Sequence, residues 1–413
     1  MKLLGLFSRS KDLMRYFTAS MLAMVVSLAL NPFVSVCMTK GDFAITGYYT
    51  SFNLLVLPLV GFSLMQYYNK SYFRLNGHQR DKLLNTIVST TLLFGGITLI
   101  LVCVGYYAYH QLKNIDLPFF PYAILFFASV YLGQFYTAYQ TKLKFEKNSK
   151  QFLRIGIYYT GIHLLCVVSL VLLWKMHALG YALATFSTAL IAMLFSMRHI
   201  INRFEIDKAM LRQALIFCWP LILANMMEYI YSGIDRSFLV GINNNDALGL
   251  YNVAVTIGSY VTIFYTTISQ TFQPDLFEAV AQKNAKATLK LVVKIQILNI
   301  LPILLFILLA PFIIDVLTFG RYVDSTVYAR IIALKGIVAA IYFSLSSIII
   351  AAGLSKVSLI IKIVGTIFAY IMFYVLISRF EYLGAAWGQA LSYISLIIIT
   401  FAFIWANRNR IFA

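Results

Sequence analysis

The segment YSGIDRSFLVG, residues 231–241, is the most informative stretch of the sequence, because it places charges inside a long apolar run. The run extends from about residue 214 to residue 240, and Asp235 and Arg236 are adjacent in it. Glu228 precedes Asp235 by two helical turns, so the two carboxylates are predicted to share one helix face, with Arg236 close to it. An ionisable group at the centre of a membrane helix costs about 2.5–3.5 kcal/mol, so it usually faces protein or water.

The composition of the whole chain agrees with a membrane location. Hydrophobic residues make up 61% of the 413 residues and charged residues only 12%, whereas a soluble domain carries about 25% charged residues. Apolar windows of about 20 residues, each long enough to cross a bilayer, recur along the sequence. We predict twelve membrane spans, at residues 13–37, 45–68, 83–108, 119–141, 153–174, 179–197, 214–240, 248–272, 291–315, 328–351, 357–377 and 383–405.

The distribution of basic residues predicts the orientation. Of the 33 Lys and Arg residues, 25 lie in segments on the same side as both termini and six on the other side. Cytoplasmic loops carry the excess of Lys and Arg, so both termini are expected in the cytoplasm. The net charge of +18 is therefore a topology signal and does not indicate nucleic-acid binding, since it is spread over short loops.

Short matches between the two halves indicate an internal duplication. They occur in the same order and at offsets of 202 to 206 residues: Gly47-Tyr48-Tyr49 with Gly249-Leu250-Tyr251, Leu179-Gly180 with Leu383-Gly384, and Ser149-Lys150 with Ser355-Lys356. Each half contains six predicted spans, and because this number is even, the two halves have the same orientation in the membrane. We therefore predict an all-α protein of two parallel six-helix lobes, residues 1–205 and 206–413, around a central cavity.

Four ionisable residues away from the ends of predicted spans are candidates for functional buried charges, namely Glu228, Asp235, Arg236 and Lys335. A water-lined cleft would satisfy their charges. Alternatives remain open: Arg236 and Lys335 can extend to lipid headgroups, and Glu228 can hydrogen-bond to a neighbouring helix. Asn31-Pro32 combines a polar amide with a helix bend in the first span and is a candidate cavity or bend position.

Several classes of function are disfavoured by the motifs. The sequence contains no Gly-x-x-x-x-Gly-Lys-Ser/Thr phosphate loop and no His-Glu-x-x-His metal motif. The longest predicted outer loop, near residues 316–327, is too short to hold a catalytic site. We predict a transporter without a cofactor or a metal, rather than an enzyme.

One stretch carries a family resemblance. In GIDRSFLVGINNNDALGLYNVA, residues 233–254, Asp-Arg is followed after a short gap by Leu-Gly-x-Tyr-x-x-Ala. This pattern, with GYYTSF at residues 47–52 and LGAAWGQALS at residues 383–392, resembles Wzx-type flippases of O-antigen and capsule repeat units. Those flippases belong to the multidrug/oligosaccharidyl-lipid/polysaccharide (MOP) superfamily, together with MATE drug antiporters and lipid II flippases.

The resemblance implies a function and roles for the buried charges. The expected activity is flipping of an undecaprenyl-diphosphate-linked oligosaccharide across the bacterial inner membrane by alternating access. Arg236 and Lys335 are then candidates for binding the diphosphate. Glu228 and Asp235 are candidates for H⁺ or Na⁺ coupling, or for fixing Arg236. The expected partners are the lipid-linked substrate and membrane lipids, with the protein acting as a monomer.

A MATE-like antiporter is the alternative. Drug antiporters of that group carry an acidic residue in the first helix, whereas the first span here has Asn31 and no Asp or Glu. Lipid II flippases are usually longer, by two helices. Both departures favour the polysaccharide flippase.

Overall fold

The computed structural model describes residues 2–72, 75–201, 203–352 and 354–412. These residues form helices joined by short turns, and no strand occurs among them. The helices are α1 (Lys2–Cys37), α2 (Lys40–Ser51), α3 (Asn53–Gly61), α4 (Leu64–Ser71), α5 (Gly77–Thr90), α6 (Gly96–Leu112), α7 (Tyr122–Phe145), α8 (Ser149–Val167), α9 (His177–Ile200), α10 (Lys208–Met226), α11 (Glu228–Ser232), α12 (Ile234–Leu239), α13 (Asn245–Ser259), α14 (Thr262–Ala281), α15 (Ala285–Thr318), α16 (Thr326–Ala333), α17 (Lys335–Ala351), α18 (Ser355–Leu391), α19 (Ile394–Ala406) and α20 (Arg408–Phe412).

Every predicted span coincides with helical structure. Within the described ranges, nine helical segments are long and apolar enough to cross a membrane, with mean hydropathies from 1.4 to 2.8. One of these segments, Lys356–Ala406, contains two predicted spans, and it is interrupted where Glu381 leaves the helical conformation. In the first span, Met24–Cys37 is a shorter apolar segment of α1. Helix α7, which is rich in Tyr, Gln and Thr, is not among the nine segments. The all-α membrane fold is confirmed, and the count of twelve stays a prediction.

The long helices have one buried face and other faces with exposed apolar side chains. In α15, Asn299, Ile303 and Ala310 are buried, whereas Leu301 and Leu308 on other faces are each 73% exposed. An exposed stripe of large apolar side chains on a 34-residue helix is stable only when lipid replaces water around it. The chain is therefore a multi-pass membrane protein.

Contacts divide the chain into two compact units, Met1–Met226 and Met227–Ala413. Helix α10 belongs to the first unit, where it packs on α3, α4 and α5. The predicted lobes were defined by the internal duplication rather than by contacts, so their boundary at residue 205 stays a prediction.

Turns interrupt several predicted spans, and two of them bear on the candidate residues and their unit boundaries. Phe62 and Ser63 both have positive φ angles, 49° and 51°, and separate α3 from α4 inside the second predicted span. The seventh predicted span is split into α10, α11 and α12 by turns at Met227 and Gly233. In contrast, α1 continues through Asn31-Pro32, and Ser35 Oγ donates to the Pro32 carbonyl oxygen at 2.7 Å.

Candidate functional site

The turn at Gly233 prepares the backbone for a side-chain network. In an unbroken helix each carbonyl oxygen accepts from the amide four residues later. Here the carbonyl oxygen of Ser232 accepts from Arg236 Nη1 at 2.7 Å, and that of Tyr231 accepts from Lys335 Nζ at 3.1 Å. The broken span therefore supplies backbone acceptors for two cationic side chains.

Asp235 is the anionic centre of the network, and it is fully buried. Its Oδ1 lies 3.1 Å from Arg236 Nη1 in an ion pair. Its Oδ2 accepts a short hydrogen bond from the hydroxyl of Tyr251 and another, at 3.0 Å, from Gln389 Nε2. Three donors surround one carboxylate, which stabilises its charged form inside the protein.

The hydrogen bonds described for Arg236 all join it to residues of the unit Met227–Ala413. Besides Asp235 and the Ser232 carbonyl, its Nε donates to Asn252 Oδ1 at 3.2 Å, and only 7% of the residue is exposed. The side chain therefore points into the protein. The alternative, in which Arg236 extends to lipid headgroups, does not match these contacts.

Lys335 lies on the other side of Gln389. Its Nζ donates to Ser232 Oγ and to Gln389 Oε1, both at 2.7 Å, in addition to the Tyr231 carbonyl. Among the described residues no carboxylate comes within 4.0 Å of this ammonium. Gln389 thus connects it to Asp235, and the network holds one anion and two cations, a net charge of +1.

Glu228 has separate partners. Its Oε2 lies 3.4 Å from Lys362 Nζ, and its Oε1 accepts from the hydroxyl of Tyr393 at 2.7 Å. The side chain is 34% exposed, unlike Asp235. The Tyr393 ring centroid lies 5.8 Å from Lys335 Nζ, so this ring stands between Glu228 and the buried network.

The prediction that Glu228, Asp235 and Arg236 share one helix face assumed an unbroken helix. The structure has a turn at Gly233, between Glu228 and Asp235, and the two carboxylates have different ion-pair partners. The structure brings Asp235, Arg236 and Lys335 together and leaves Glu228 with Lys362. Asn31 and Pro32 lie in the other unit, on the part of α1 that packs against α8, and their proposed role stays a prediction.

Sequence reasoning missed the neutral members of the network, namely Ser232, Tyr251, Asn252 and Gln389. Tyr251 and Gln389 both lie in motifs that were used only to detect the duplication and the family resemblance. A buried charge needs polar partners, so polar residues inside apolar spans were the signal that could have found them.

Comparison with known proteins identifies the family. The model of the Polysaccharide biosynthesis protein family matches residues 9–280. The chain belongs to this family. No curated protein matches the chain.

Solved structures show that this polysaccharide biosynthesis protein has the fold of MOP-superfamily transporters. An inward-facing multidrug resistance MATE transporter of the MOP superfamily is 13% identical, with a TM-score of 0.73 and coverage of 96% of this chain and 99% of that one. The lipid II flippase MurJ in an inward closed conformation is 12% identical, with a TM-score of 0.69 and coverage of 94% and 87%. The Vibrio cholerae MATE transporter VcmN in its bent form is 15% identical, with a TM-score of 0.54 and coverage of 98% of both chains. At these identities the likeness concerns the fold.

Proposed function

We propose that this protein flips an undecaprenyl-diphosphate-linked oligosaccharide from the cytoplasmic to the periplasmic leaflet of the bacterial inner membrane. The observation that carries the proposal is the buried network with a net positive charge, inside a membrane chain of the polysaccharide biosynthesis family. Excess positive charge at this depth is costly unless it serves an anion. MurJ, which shares the fold, is itself a lipid flippase.

The chemistry of the substrate fits such a site. A sugar diphosphate is too polar to cross hydrocarbon unaided. Charge-assisted hydrogen bonds from Arg and Lys are among the stronger contacts available to phosphate. The prenyl chain stays in the bilayer while the headgroup crosses.

The proposed roles of the residues follow from their contacts. Arg236 and Lys335 contribute the positive charge that the diphosphate meets when the network opens. Asp235 fixes Arg236 and holds it until then. Glu228, which is partly exposed and paired with Lys362, is the coupling candidate for H⁺ or Na⁺. Alternating access would proceed with both termini in the cytoplasm and with the protein as a monomer.

A cation-coupled drug antiporter is the second candidate, because the MATE fold covers nearly the whole chain. In that function Glu228 would exchange its cation for a cationic drug, and Arg236 and Lys335 would have no anionic ligand. The two functions therefore predict opposite substrate charges.

The proposal is tested in proteoliposomes that contain a fluorescent undecaprenyl diphosphate oligosaccharide. A membrane-impermeant quencher reports which molecules have changed leaflet. We expect the wild type to exchange the lipid rapidly between leaflets. Arg236→Ala should exchange it at least tenfold more slowly, which corresponds to a loss of about 1.4 kcal/mol of transition-state stabilisation. Arg379→Ala, which removes an exposed arginine of the same unit, serves as the control.

Exchange by folded wild type that is no faster than in empty liposomes would contradict the function. Wild-type exchange that Arg236→Ala retains would keep the function and remove Arg236 from the path.

A further inference from the structure

Phe62 and Ser63 form a strained break inside the second predicted span. Their φ angles are 49° and 51°, with ψ angles of 19° and 20°, so both residues lie in the left-handed helical region. Residues other than glycine seldom occupy this region, and those that do are mostly single Asn or Asp residues. Two successive residues of other types therefore store backbone strain, which the surrounding structure has to hold.

The two helices that meet at the break have partly different neighbours. Helix α7 packs on α3, α5 packs on α4, and α10 packs on both. The hydroxyl of Tyr67 on α4 donates to Gln213 Oε1 at 3.3 Å, and Lys70 Nζ lies 3.8 Å from the centroid of the Phe217 ring. Helix α4 is therefore held along its length by side chains of α10.

Two side chains of α10 hold the break itself at Ser63. Asn225 Nδ2 donates to Ser63 Oγ at 3.1 Å, and the Cys218 thiol donates to the Ser63 carbonyl oxygen across 3.4 Å. That carbonyl oxygen also accepts from the Gln66 amide at 3.0 Å. Both the side chain and the backbone of Ser63 are thus bound to α10 in the strained conformation.

The end of α3 is packed closely against other helices. A Cβ on Gly61 would lie 2.8 Å from Gln134 Oε1 of α7, and Gln134 Nε2 donates to the Leu57 carbonyl oxygen at 3.4 Å. The Val60 carbonyl oxygen lies against Gly95, where a Cβ would approach it to 2.5 Å. These contacts anchor α3 independently of α10.

We propose that the Phe62–Ser63 break is a two-state joint. In the bent state, which the structure shows, Cys218 and Asn225 hold Ser63 in the left-handed conformation. In the straight state, α4 leaves α10, both residues of the break take right-handed helical angles, and α3 and α4 form one continuous helix. Backbone strain favours the straight state and the contacts with α10 favour the bent state, so a change in those contacts shifts the population.

The joint lies outside the charge network of the proposed flippase. Its residues belong to the unit Met1–Met226, whereas Asp235, Arg236 and Lys335 belong to Met227–Ala413. The two states are therefore independent of the identity of the transported substrate. The use of the joint in alternating access rests on the proposed function.

The test measures the distance between α3 and α4 by pulsed electron–electron double resonance on the full-length protein in nanodiscs. Spin labels are attached at Leu57→Cys and Asn69→Cys, two exposed positions. The three native cysteines away from the joint are replaced by alanine, and Cys218→Ser keeps a donor for the Ser63 carbonyl oxygen. In the straight state the two positions are about 18 Å apart along the helix axis, and in the bent state they are closer.

Opposite substitutions at one position distinguish the two states. Ser63→Ala removes the acceptor of Asn225 and favours a helix, so it should increase the straight population. Ser63→Gly adopts the left-handed conformation without strain and disfavours a helix, so it should decrease that population. We expect the straight-to-bent ratio to differ at least about tenfold between these two variants. Asn225→Leu should act as Ser63→Ala does.

Asn407→Leu is the matched control, because Asn407 Nδ2 donates to the Phe403 carbonyl oxygen, four residues earlier, at 3.0 Å. This variant should give the distance distribution of the wild type. One distance shared by the wild type, Ser63→Ala, Ser63→Gly and Asn225→Leu would overturn the proposal and make the break a rigid kink. Ser63→Ala hardly changes the packing volume and covers the case in which Asn225→Leu does not fold. The measurement involves no lipid-linked substrate, so failure of the flippase function is detected separately.

Discussion

Gln389 is the residue on which the buried network depends most, because its one amide serves two opposite charges. Its Oε1 accepts from Lys335 and its Nε2 donates to Asp235. A hydrogen bond to a charged group contributes about 1.5–3 kcal/mol, and leaving a buried charge unpaired costs more. Gln389 is 1% exposed, so water does not replace the amide.

Gln389→Leu should therefore destabilise the protein by about 3 kcal/mol, since it removes both bonds and leaves the ammonium and the carboxylate short of partners. The measurement is chemical unfolding in detergent. Gln282→Leu is the control, because the Gln282 side chain donates to the exposed carboxylate of Glu278. This substitution should change stability by less than about 0.5 kcal/mol. Equal effects of the two variants would show that the hydrogen bonds of Gln389 to Lys335 and Asp235 contribute nothing to stability.

The same residue shows the limit of sequence analysis at this scale. Asp235, Arg236 and Lys335 were found because a charge inside an apolar span is rare. Gln389 and Tyr251 were not singled out, because an uncharged polar residue in a span is common and its partner lies far away in sequence. The pairing of position 389 with positions 235 and 335 is created only by folding.

At the scale of elements, close helix packing depends on Gly95, which ends a short π-helical turn between α5 and α6. A Cβ at this position would lie 2.5 Å from the carbonyl oxygen of Val60 on α3. Backbone cannot move aside as a side chain can, so the added methyl forces the helices apart.

Gly95→Ala should therefore lower stability by about 2 kcal/mol. Gly105→Ala, on α6 with nothing within 4 Å of its Cβ, should be neutral or should stabilise the helix by up to about 1 kcal/mol. Thermal unfolding of the two variants in one detergent compares them directly. A Gly95→Ala protein as stable as the Gly105→Ala protein would contradict the close approach of α3.

Asp207 controls the start of α10, just outside the membrane spans. Its Oδ1 accepts from the amides of Ala209 and Met210, both at 2.9 Å, and its Oδ2 lies 2.7 Å from Lys82 Nζ. The hydrogen bond from Lys82 lowers the pKa of Asp207 below its ordinary value, and the bond from the Met210 amide acts in the same direction. A carboxylate with a depressed pKa stabilises the fold above its unfolded pKa of about 3.9, and that contribution disappears as the pH falls through the folded pKa.

Protection of the Ala209 and Met210 amides from hydrogen exchange should thus fall on acidification below about pH 4, relative to Asp207→Asn measured under identical conditions. The asparagine keeps a capping oxygen at every pH and carries no charge to lose. An identical pH dependence in wild type and variant would show that the ion pair with Lys82 does not hold this end of α10.

Breaks inside helices were the elements that the sequence did not predict. The seventh span was expected to be one continuous helix because residues 214–240 form a single, predominantly apolar run. Gly233 gave a weak hint of a turn, but glycine inside a membrane helix is common. At the break, Lys335 of α17 donates to the Tyr231 carbonyl oxygen and Arg236 of α12 donates to that of Ser232. Gln389 of α18 holds Lys335 and Asp235 in place, so the break depends on tertiary contacts.

For the whole molecule, the recurrence of apolar windows of about 20 residues was sufficient to predict the class of fold. Every predicted span coincides with helical structure, because a chain in lipid must satisfy its backbone hydrogen bonds within helices. The aligned residues Tyr49 and Tyr251, 202 positions apart, are both fully buried. Their hydroxyls have different partners, the Pro118 carbonyl oxygen and the Asp235 carboxylate, so the polar network of the second unit is not repeated at the corresponding place in the first.

If the buried positive charge of Arg236 and Lys335 binds a diphosphate, the protein should distinguish a diphosphate from a monophosphate. The most direct measurement compares wild-type exchange in proteoliposomes for one oligosaccharide carried on undecaprenyl diphosphate and on undecaprenyl monophosphate. We expect the diphosphate to exchange at least tenfold faster, a difference of about 1.4 kcal/mol, and we expect Lys335→Met and Arg236→Ala to lose that preference. Equal rates for the two lipids in the wild type would contradict it.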